Sequence, residues 1–362
     1  MNIESLQQSE RILFALRGLY DKYGYVRYKM NKFEEYDLYA RNKDFLISEG
    51  VITFTDTNGK LMALKPDVTL SIVKNTKDDD SRVQKLYYNE NVYRVSGGTH
   101  SFKEIMQVGL EAMGDIDDYC IFEVMSLSAE SLACTERNCI LEFSHLGVLS
   151  EILRYVGIPE EQSVMRCIGE KNAHELTGIC ASLGISEEKC ALLKNILSVY
   201  GRVDEVLPEV RKLLTGIVSE GTLSSFVGIA RALSNSARGE MYYLDFSIVS
   251  DIRYYNGFVF RGFAEGIPSS VLSGGQYDTM MAKMKRKSGA IGFAVYLDML
   301  EQYEKNEYDV DNLLVYEDCT VSQIKAQTDA LIEKGESVLV QKSIPSDVKY
   351  KKLIRLQGGK RI

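Results

Sequence analysis

The sequence predicts an α+β protein: an antiparallel sheet flanked by helices, carrying a helical insertion and followed by a small β-α-β unit. Three observations support this. A strand pair is placed at 84–95 with 102–114 and further strands at 241–249 and 254–263, and residues 104–111 alternate cleanly between apolar and polar. From about 159 to 236 the pattern is helical, with breaks near Gly184, Gly201 and Gly221. No G-x-x-x-x-G-K-[ST] loop or G-x-G-x-x-G turn is present, so a doubly wound nucleotide-binding fold is not supported.

In order along the chain, residues 5–24 place Leu6, Ile12, Leu13, Leu16, Leu19, Tyr20 and Tyr23 at helical spacing with one buried face. Val51–Thr55 and Lys60–Leu64 flank Asp56-Thr57-Asn58-Gly59, a hairpin signal. A short helix is expected at 68–76 behind Pro66 and Asp67. Ser96-Gly97-Gly98-Thr99-His100 joins the first long strand pair, and helices follow at 117–134 and 145–157. Ser273-Gly274-Gly275-Gln276-Tyr277 reads as a turn before a helix, and 289–304 as a strand-to-helix passage. In the last fifty residues, Asn312–Tyr316, Ser337–Val340 and Lys352–Leu356 read as strands and 321–334 as a helix. Two domains are expected, 1–305 and 310–362, with the helical insertion at about 159–236.

Composition narrows the function. The chain has 362 residues, 45% hydrophobic and 26% charged, enough for a sizeable core. Its net charge of −8 argues against nucleic acid, tRNA included, as a major ligand. The basic run Lys283-Met284-Lys285-Arg286-Lys287 reads as a solvated loop. Seven scattered cysteines fit a reducing compartment. Cys134, Cys139 and His145 fall short of the four ligands of a structural zinc site, so no metal is expected. Met1-Asn2-Ile3-Glu4-Ser5 opens no signal peptide and no apolar run has bilayer length. A cytoplasmic location without membrane association is expected.

Four segments carry candidate chemistry. Leu64-Lys65-Pro66-Asp67-Val68-Thr69 puts a carboxylate and a hydroxyl two residues apart, on one face if the backbone is extended. They then suit a ligand ammonium; alternatively Asp67 caps the next helix. In Gln107-Val108-Gly109-Leu110-Glu111 the polar face has a glycine between two polar groups, leaving room for a ligand. Glu111 suits an imidazole N–H; the alternative is the solvated side of an edge strand. Tyr254-Tyr255-Asn256-Gly257 sets one phenol on each face of a strand, one to pack and one to bind. Gly274-Gly275-Gln276-Tyr277-Asp278 and Gly289-Ala290-Ile291-Gly292-Phe293 allow close backbone approach, to a flat ligand or simply to a neighbouring strand.

In this order the segments resemble the catalytic core of histidyl-tRNA synthetase, a class II aminoacyl-tRNA synthetase, from about residue 10 to residue 305. Leu64-Lys65-Pro66-Asp67-Val68-Thr69 resembles the family's Leu-Arg-Pro-Glu-x-Thr, and Tyr93-Arg94 with Gln107–Glu111 its second class motif. Tyr254-Tyr255-Asn256-Gly257 resembles its Tyr-Tyr-Thr-Gly, and Gly274-Gly275-Gln276-Tyr277-Asp278 its Gly-Gly-Arg-Tyr-Asp. The resemblance implies a histidine site of Asp67, Thr69, Arg94, Gln107, Glu111, Tyr254 and Tyr255. In it Asp67, Thr69 and Gln107 hold the amino group, Glu111 and Tyr255 the imidazole, and Arg94 faces the carboxylate.

The departures fall on the ATP side. Ser250 stands where the family has a catalytic arginine, Met299 where its third motif has one, and Val95-Ser96 where a glutamate contacts adenine. Amino-acid activation places cations on a developing pentavalent phosphate, and serine and methionine supply none. One branch of the family has this pattern, the regulatory subunits of ATP phosphoribosyltransferase. Leu244-Asp245-Phe246-Ser247-Ile248-Val249-Ser250 ahead of Tyr254-Tyr255 is similar to that branch. The resemblance implies a non-catalytic histidine sensor without a cofactor. Its implied partner is a short catalytic subunit, in a hetero-octamer whose present chains dimerise through the core. The C-terminal unit resembles a shortened anticodon-binding domain. The alternatives are a divergent histidyl-tRNA synthetase and an orphan paralogue binding another amino acid.

Overall fold

In the computed structural model, residues 7–43, 46, 50–79, 81–95, 101–159, 162–249, 254–303 and 308–358 are described. The first six residues, Leu6 among them, the loop Ser96–His100 and the segment Ser250–Arg253 lie outside them. The chain divides into two units, Met1–Tyr303 and Glu304–Ile362.

The first unit opens with α1 (Gln8–Lys22), which buries Ile12, Leu16 and Tyr20 along one stripe. Its start is closed by Glu10, which accepts from the Gln7 N–H at 3.0 Å. Then follow β1 (Val26–Arg27), β2 (Phe33–Glu35), α2 (Tyr36–Arg41), β3 (Thr53–Thr55), β4 (Leu61–Leu64) and α3 (Thr69–Asn75). The hairpin β3–β4 pairs Phe54 with Met62. Asp56 Oδ1 holds its turn by accepting from the Asn58 and Lys60 N–H groups at 2.9 and 2.8 Å. With β2 it forms a separate three-stranded sheet.

The long strands β5 (Gln84–Val95) and β6 (Phe102–Gly114) come next, then α4 (Asp118–Ala133), β7 (Cys139–His145) and α5 (Leu146–Val156). Strand β7 carries no sequence expectation, yet it sits in the sheet with Leu141 and Phe143 fully buried. His145 Nδ1 caps α5 by accepting from the Val148 N–H at 3.1 Å. Gly157, at φ 93°, ends that helix.

The stretch that follows is α6 (Gln162–Gly169), α7 (Ala173–Ser182), α8 (Glu187–Ser198), β8 (Tyr200–Arg202), α9 (Val203–Leu214) and α10 (Glu220–Ser234). The helices break where expected at Gly184, between α7 and α8, and at Gly201, in β8 between α8 and α9; the third break falls just ahead of Gly221, which is the second residue of α10. The unit closes with β9 (Tyr242–Asp245), β10 (Phe258–Ala264), β11 (Leu272–Gln276), α11 (Asp278–Lys283), β12 (Gly289–Tyr296) and α12 (Leu297–Gln302).

These strands form one nine-stranded sheet, ordered β1-β5-β6-β12-β11-β10-β7-β9-β8. It is antiparallel except where β1 meets β5 and β7 meets β9. Helices α1 and α4 cover one face, burying Leu16, Val124 and Leu127 with Val108, Leu110 and Phe293. Two sequence expectations change here. Tyr254 and Tyr255 precede β10 instead of lying in it, because the ladder to β7 begins at Phe258. The stretch 273–276 is strand β11, not a turn, paired on both sides by β10 and β12; its glycines serve a crowded ladder.

The second unit is β13 (Val310–Glu317), α13 (Val321–Ile332), β14 (Val338–Gln341) and β15 (Tyr350–Gln357), with a parallel sheet ordered β14-β13-β15. Thr320 and Gln323 cap α13 reciprocally. Among the described residues, no helix is long and apolar enough to cross a membrane.

Candidate functional site

The chain leaves β4 at Leu64 and passes through Pro66 and Asp67 into α3, so that Asp67 and the first helical residue, Thr69, line a cavity of about 1330 Å³. Asp67, Thr69, Arg94, Gln107, Tyr254 and Tyr255 all line this cavity. Glu111 does not; it is buried immediately behind.

Asp67 fits its capping reading and also borders the cavity. Its Oδ1 accepts from the Leu70 N–H at 2.8 Å, capping α3, and the same buried carboxylate borders the cavity. The extended-backbone argument for pairing it with Thr69 fails, because Thr69 is already the first residue of a helix. The Thr69 hydroxyl instead donates to Glu111 Oε1 at 2.7 Å. The Tyr277 phenol donates to Glu111 Oε2 at 2.5 Å. Glu111 is therefore held by two side chains that line the cavity.

Strand β6 is central, not an edge, so the solvated alternative for its polar face is overturned: Gln107 and Glu111 are buried. The room beside Gly109 is taken by protein as well. A Cβ there would strike the Tyr88 phenol and the Phe293 carbonyl. Opposite Glu111 in the β6–β12 register stands Gly292, where a Cβ would collide with the Glu111 carboxylate. That glycine is what lets the carboxylate lie across the strand.

The two tyrosines were expected on opposite faces. In the turn ahead of β10 both rings come to the cavity, with centroids 4.6 Å apart and edge to face, and Tyr254 packs 5.7 Å from Tyr277. Arg94 Nε donates to the Pro66 carbonyl at 3.1 Å, tying β5 to the Asp67 segment.

Burial controls the charges. It pushes Glu111 up to about 8, against the hydrogen bonds from Tyr277 and Thr69 and with help from nearby Asp67. Burial also raises Asp67, opposed by the Leu70 N–H and the Arg94 guanidinium. Tyr88, Tyr254, Tyr255 and Tyr277 are raised by burial and stay neutral phenols. The Asp67 carboxylate among adjoining phenols favours a cationic ligand group, and Arg94 and Arg261 in the same lining favour an anionic one. The chemistry suits a zwitterion.

Tyr277, Tyr88 and Arg261 were missed as site residues. Tyr277 was visible in the Gly-Gly-Gln-Tyr-Asp run, and Arg261 as the lone charge in Phe258-Val259-Phe260-Arg261. Tyr88 gave no signal distinct from core packing. Met299 packs against the main hydrophobic core. In the basic run, Arg286 is not merely solvated: it donates to the Val73 and Thr76 carbonyls at the end of α3 at 2.5 and 2.8 Å. Among the described residues, no three His, Cys, Asp or Glu side chains gather where a metal is held.

The sheet order and flanking helices are those of the class II aminoacyl-tRNA synthetase-like fold. The histidyl-tRNA synthetase family profile matches residues 2–300, and the chain belongs to that family. An ATP phosphoribosyltransferase regulatory subunit from Oceanobacillus iheyensis is 23% identical over 302 residues, 82% of this chain and 74% of that one. A solved structure from Bacillus halodurans, described as an ATP phosphoribosyltransferase regulatory subunit/histidyl-tRNA synthetase, is 23% identical. It superposes with a TM-score of 0.70 over 97% of this chain and 94% of that one. A chain of the ATP phosphoribosyl transferase complex from Thermotoga maritima gives 0.63 at 19% identity, over 81% and 98%.

Proposed function

We propose that this chain is a non-catalytic regulatory subunit of an ATP phosphoribosyltransferase, which binds L-histidine in the cavity and transmits feedback inhibition to a short catalytic subunit. The observation that carries the reading is the joint lining of one cavity by Asp67, Thr69, Arg94, Gln107, Tyr254 and Tyr255, with Glu111 clamped behind them. Asp67 takes the amino group beside Thr69 and Gln107, and Arg94 faces the carboxylate. Tyr255 and Tyr277 meet the imidazole, with Glu111 acting through Tyr277 and Thr69. Relatives named as regulatory subunits, and the likeness to a chain of a phosphoribosyl transferase complex, support the partner. The assembly is a hetero-octamer in the cytoplasm, with the present chains dimerising through the core.

Histidine and the inhibited state of the complex must bias the same equilibrium, so each strengthens the other. Co-expression with a short catalytic subunit, assayed with and without histidine, tests the role. The reading requires activity that depends on this chain and falls when histidine is added. No co-purification, or inhibition untouched by Asp67→Asn, would refute it. The family profile favours one other reading, an active synthetase, and histidine-dependent ATP–pyrophosphate exchange by the purified chain would establish that instead.

A further inference from the structure

Helix α2 presents Tyr36, Tyr39 and Ala40 to the cavity, the i, i+3, i+4 spacing of one helix face. Tyr39 has no exposed surface. Its hydroxyl finds no hydrogen-bond partner among the described residues. A buried hydroxyl left unpaired is unfavourable and calls for an explanation. Phenylalanine would fill the same space without that penalty, so the oxygen needs a reason.

The acidic neighbours supply one. After burial, the charges acting on this phenol are those of Asp67 and then Glu34, and both favour the neutral form. Glu34 is engaged by the Ser71 hydroxyl and the Lys74 ammonium, each at 2.8 Å, and by Asn75 at 3.2 Å. Asp67 gives Oδ1 to the Leu70 N–H and borders the same cavity as Tyr39. A neutral phenol and a buried carboxylate lining one cavity form a receptor for an ammonium: the carboxylate compensates its charge and the phenol oxygen accepts one N–H.

We propose that the Tyr39 hydroxyl is a specificity contact, which selects ligands carrying a protonated amino group next to Asp67. The inference rests on the histidine-binding reading and adds a residue from α2 that neither the motifs nor the resemblance identified. It makes the amino group, as well as the imidazole, a condition of tight binding.

The test compares the full chain with its Tyr39→Phe variant, using calorimetric titration with L-histidine and with imidazole-4-propionate, which lacks the amino group. Melting temperatures without ligand are read in parallel. The expected result is a histidine Kd raised about tenfold or more, the usual loss for one hydrogen bond to a charged group. Imidazole-4-propionate should bind both proteins equally, and the unliganded variant should melt at the same temperature or higher. Equal histidine affinity in the two proteins would overturn the proposal, as would an equal loss for both ligands. So would a lower melting temperature of the unliganded variant, since the hydroxyl would then be satisfied within the protein. Failure of the parent chain to bind histidine would instead overturn the histidine reading, and this inference with it.

Discussion

Tyr277 and Glu111 lie 166 residues apart in the chain and are joined by a 2.5 Å hydrogen bond from phenol to carboxylate. Thr69 donates to the other carboxylate oxygen, so one buried acid ties together the start of α3, the middle of β6 and the exit of β11. None of the three segments is a neighbour of another in sequence. The acid is therefore both a fold contact and the support of two cavity-lining groups.

Its charge should set a pH dependence. The carboxyl sits at about 8 in the folded chain against 4.5 as its ordinary value. Between those values the native state keeps a proton that the unfolded chain has released. The stability contributed by this group is thus fully present below about 4.5 and is lost as pH rises through about 8. Glu111→Gln removes the dependence, so its stability relative to the parent should rise by a few kcal/mol from pH 5 to pH 9. Urea unfolding at pH 5, 7 and 9 measures this. Parallel profiles for the two proteins would show that the buried proton is not there.

Gly292→Ala should disturb the same carboxylate sterically. The added methyl meets Glu111 Oε2 and the Leu110 carbonyl, and the backbone oxygen cannot swing away. A loss of roughly 1–3 kcal/mol follows from overpacking, read as a lower urea midpoint. Gly178 in α7 is the control, since nothing lies within 4 Å of a Cβ there. Gly178→Ala should instead gain about 0.5–1 kcal/mol from helix propensity.

Arg286→Ala should loosen the end of α3. The guanidinium satisfies carbonyls of Val73 and Thr76 that the helix itself leaves open. Its loss should lower stability by about 1–3 kcal/mol and speed amide exchange in 69–76 before the rest of the domain. Unchanged exchange in that helix would make the contact incidental.

His145 should make the parent chain acid-sensitive. Burial holds its imidazole neutral down to about 4, against an ordinary value of 6.5. As pH falls the unfolded chain takes up the proton first, so stability present above 6.5 is lost as pH drops towards 4. His145→Asn keeps a capping acceptor for the Val148 N–H. Its stability should fall less than the parent's over that window, in unfolding curves at pH 7, 5.5 and 4.5. An equal fall in both would place the acid sensitivity elsewhere.

Much of the fold was legible because its signals are local. β5 and β6 fall at 84–95 and 102–114, where the sequence put them, since twelve and thirteen residues of extended chain declare their own period. The start of α3 behind Pro66 and Asp67 was legible for the same reason. Strand β7 was not, because Ile140, Leu141 and Phe143 gain their meaning from pairing with β10. The turn holding Tyr254 and Tyr255 was read as strand because aromatic residues next to a strand carry the same propensity as residues within it.

By itself the sequence determined the α+β class, the helix-rich middle and the presence of Asp67, Thr69, Gln107, Glu111 and the two tyrosines in family-like order. Those follow from periodicity and residue identity, which are properties of short stretches. Only the tertiary structure decided that Glu111 stands behind the cavity and not in it, that both tyrosines face it, and that Tyr277 and Arg261 belong to it. Each depends on which strands pair and in what register, and a register is fixed by contacts between residues far apart in the chain.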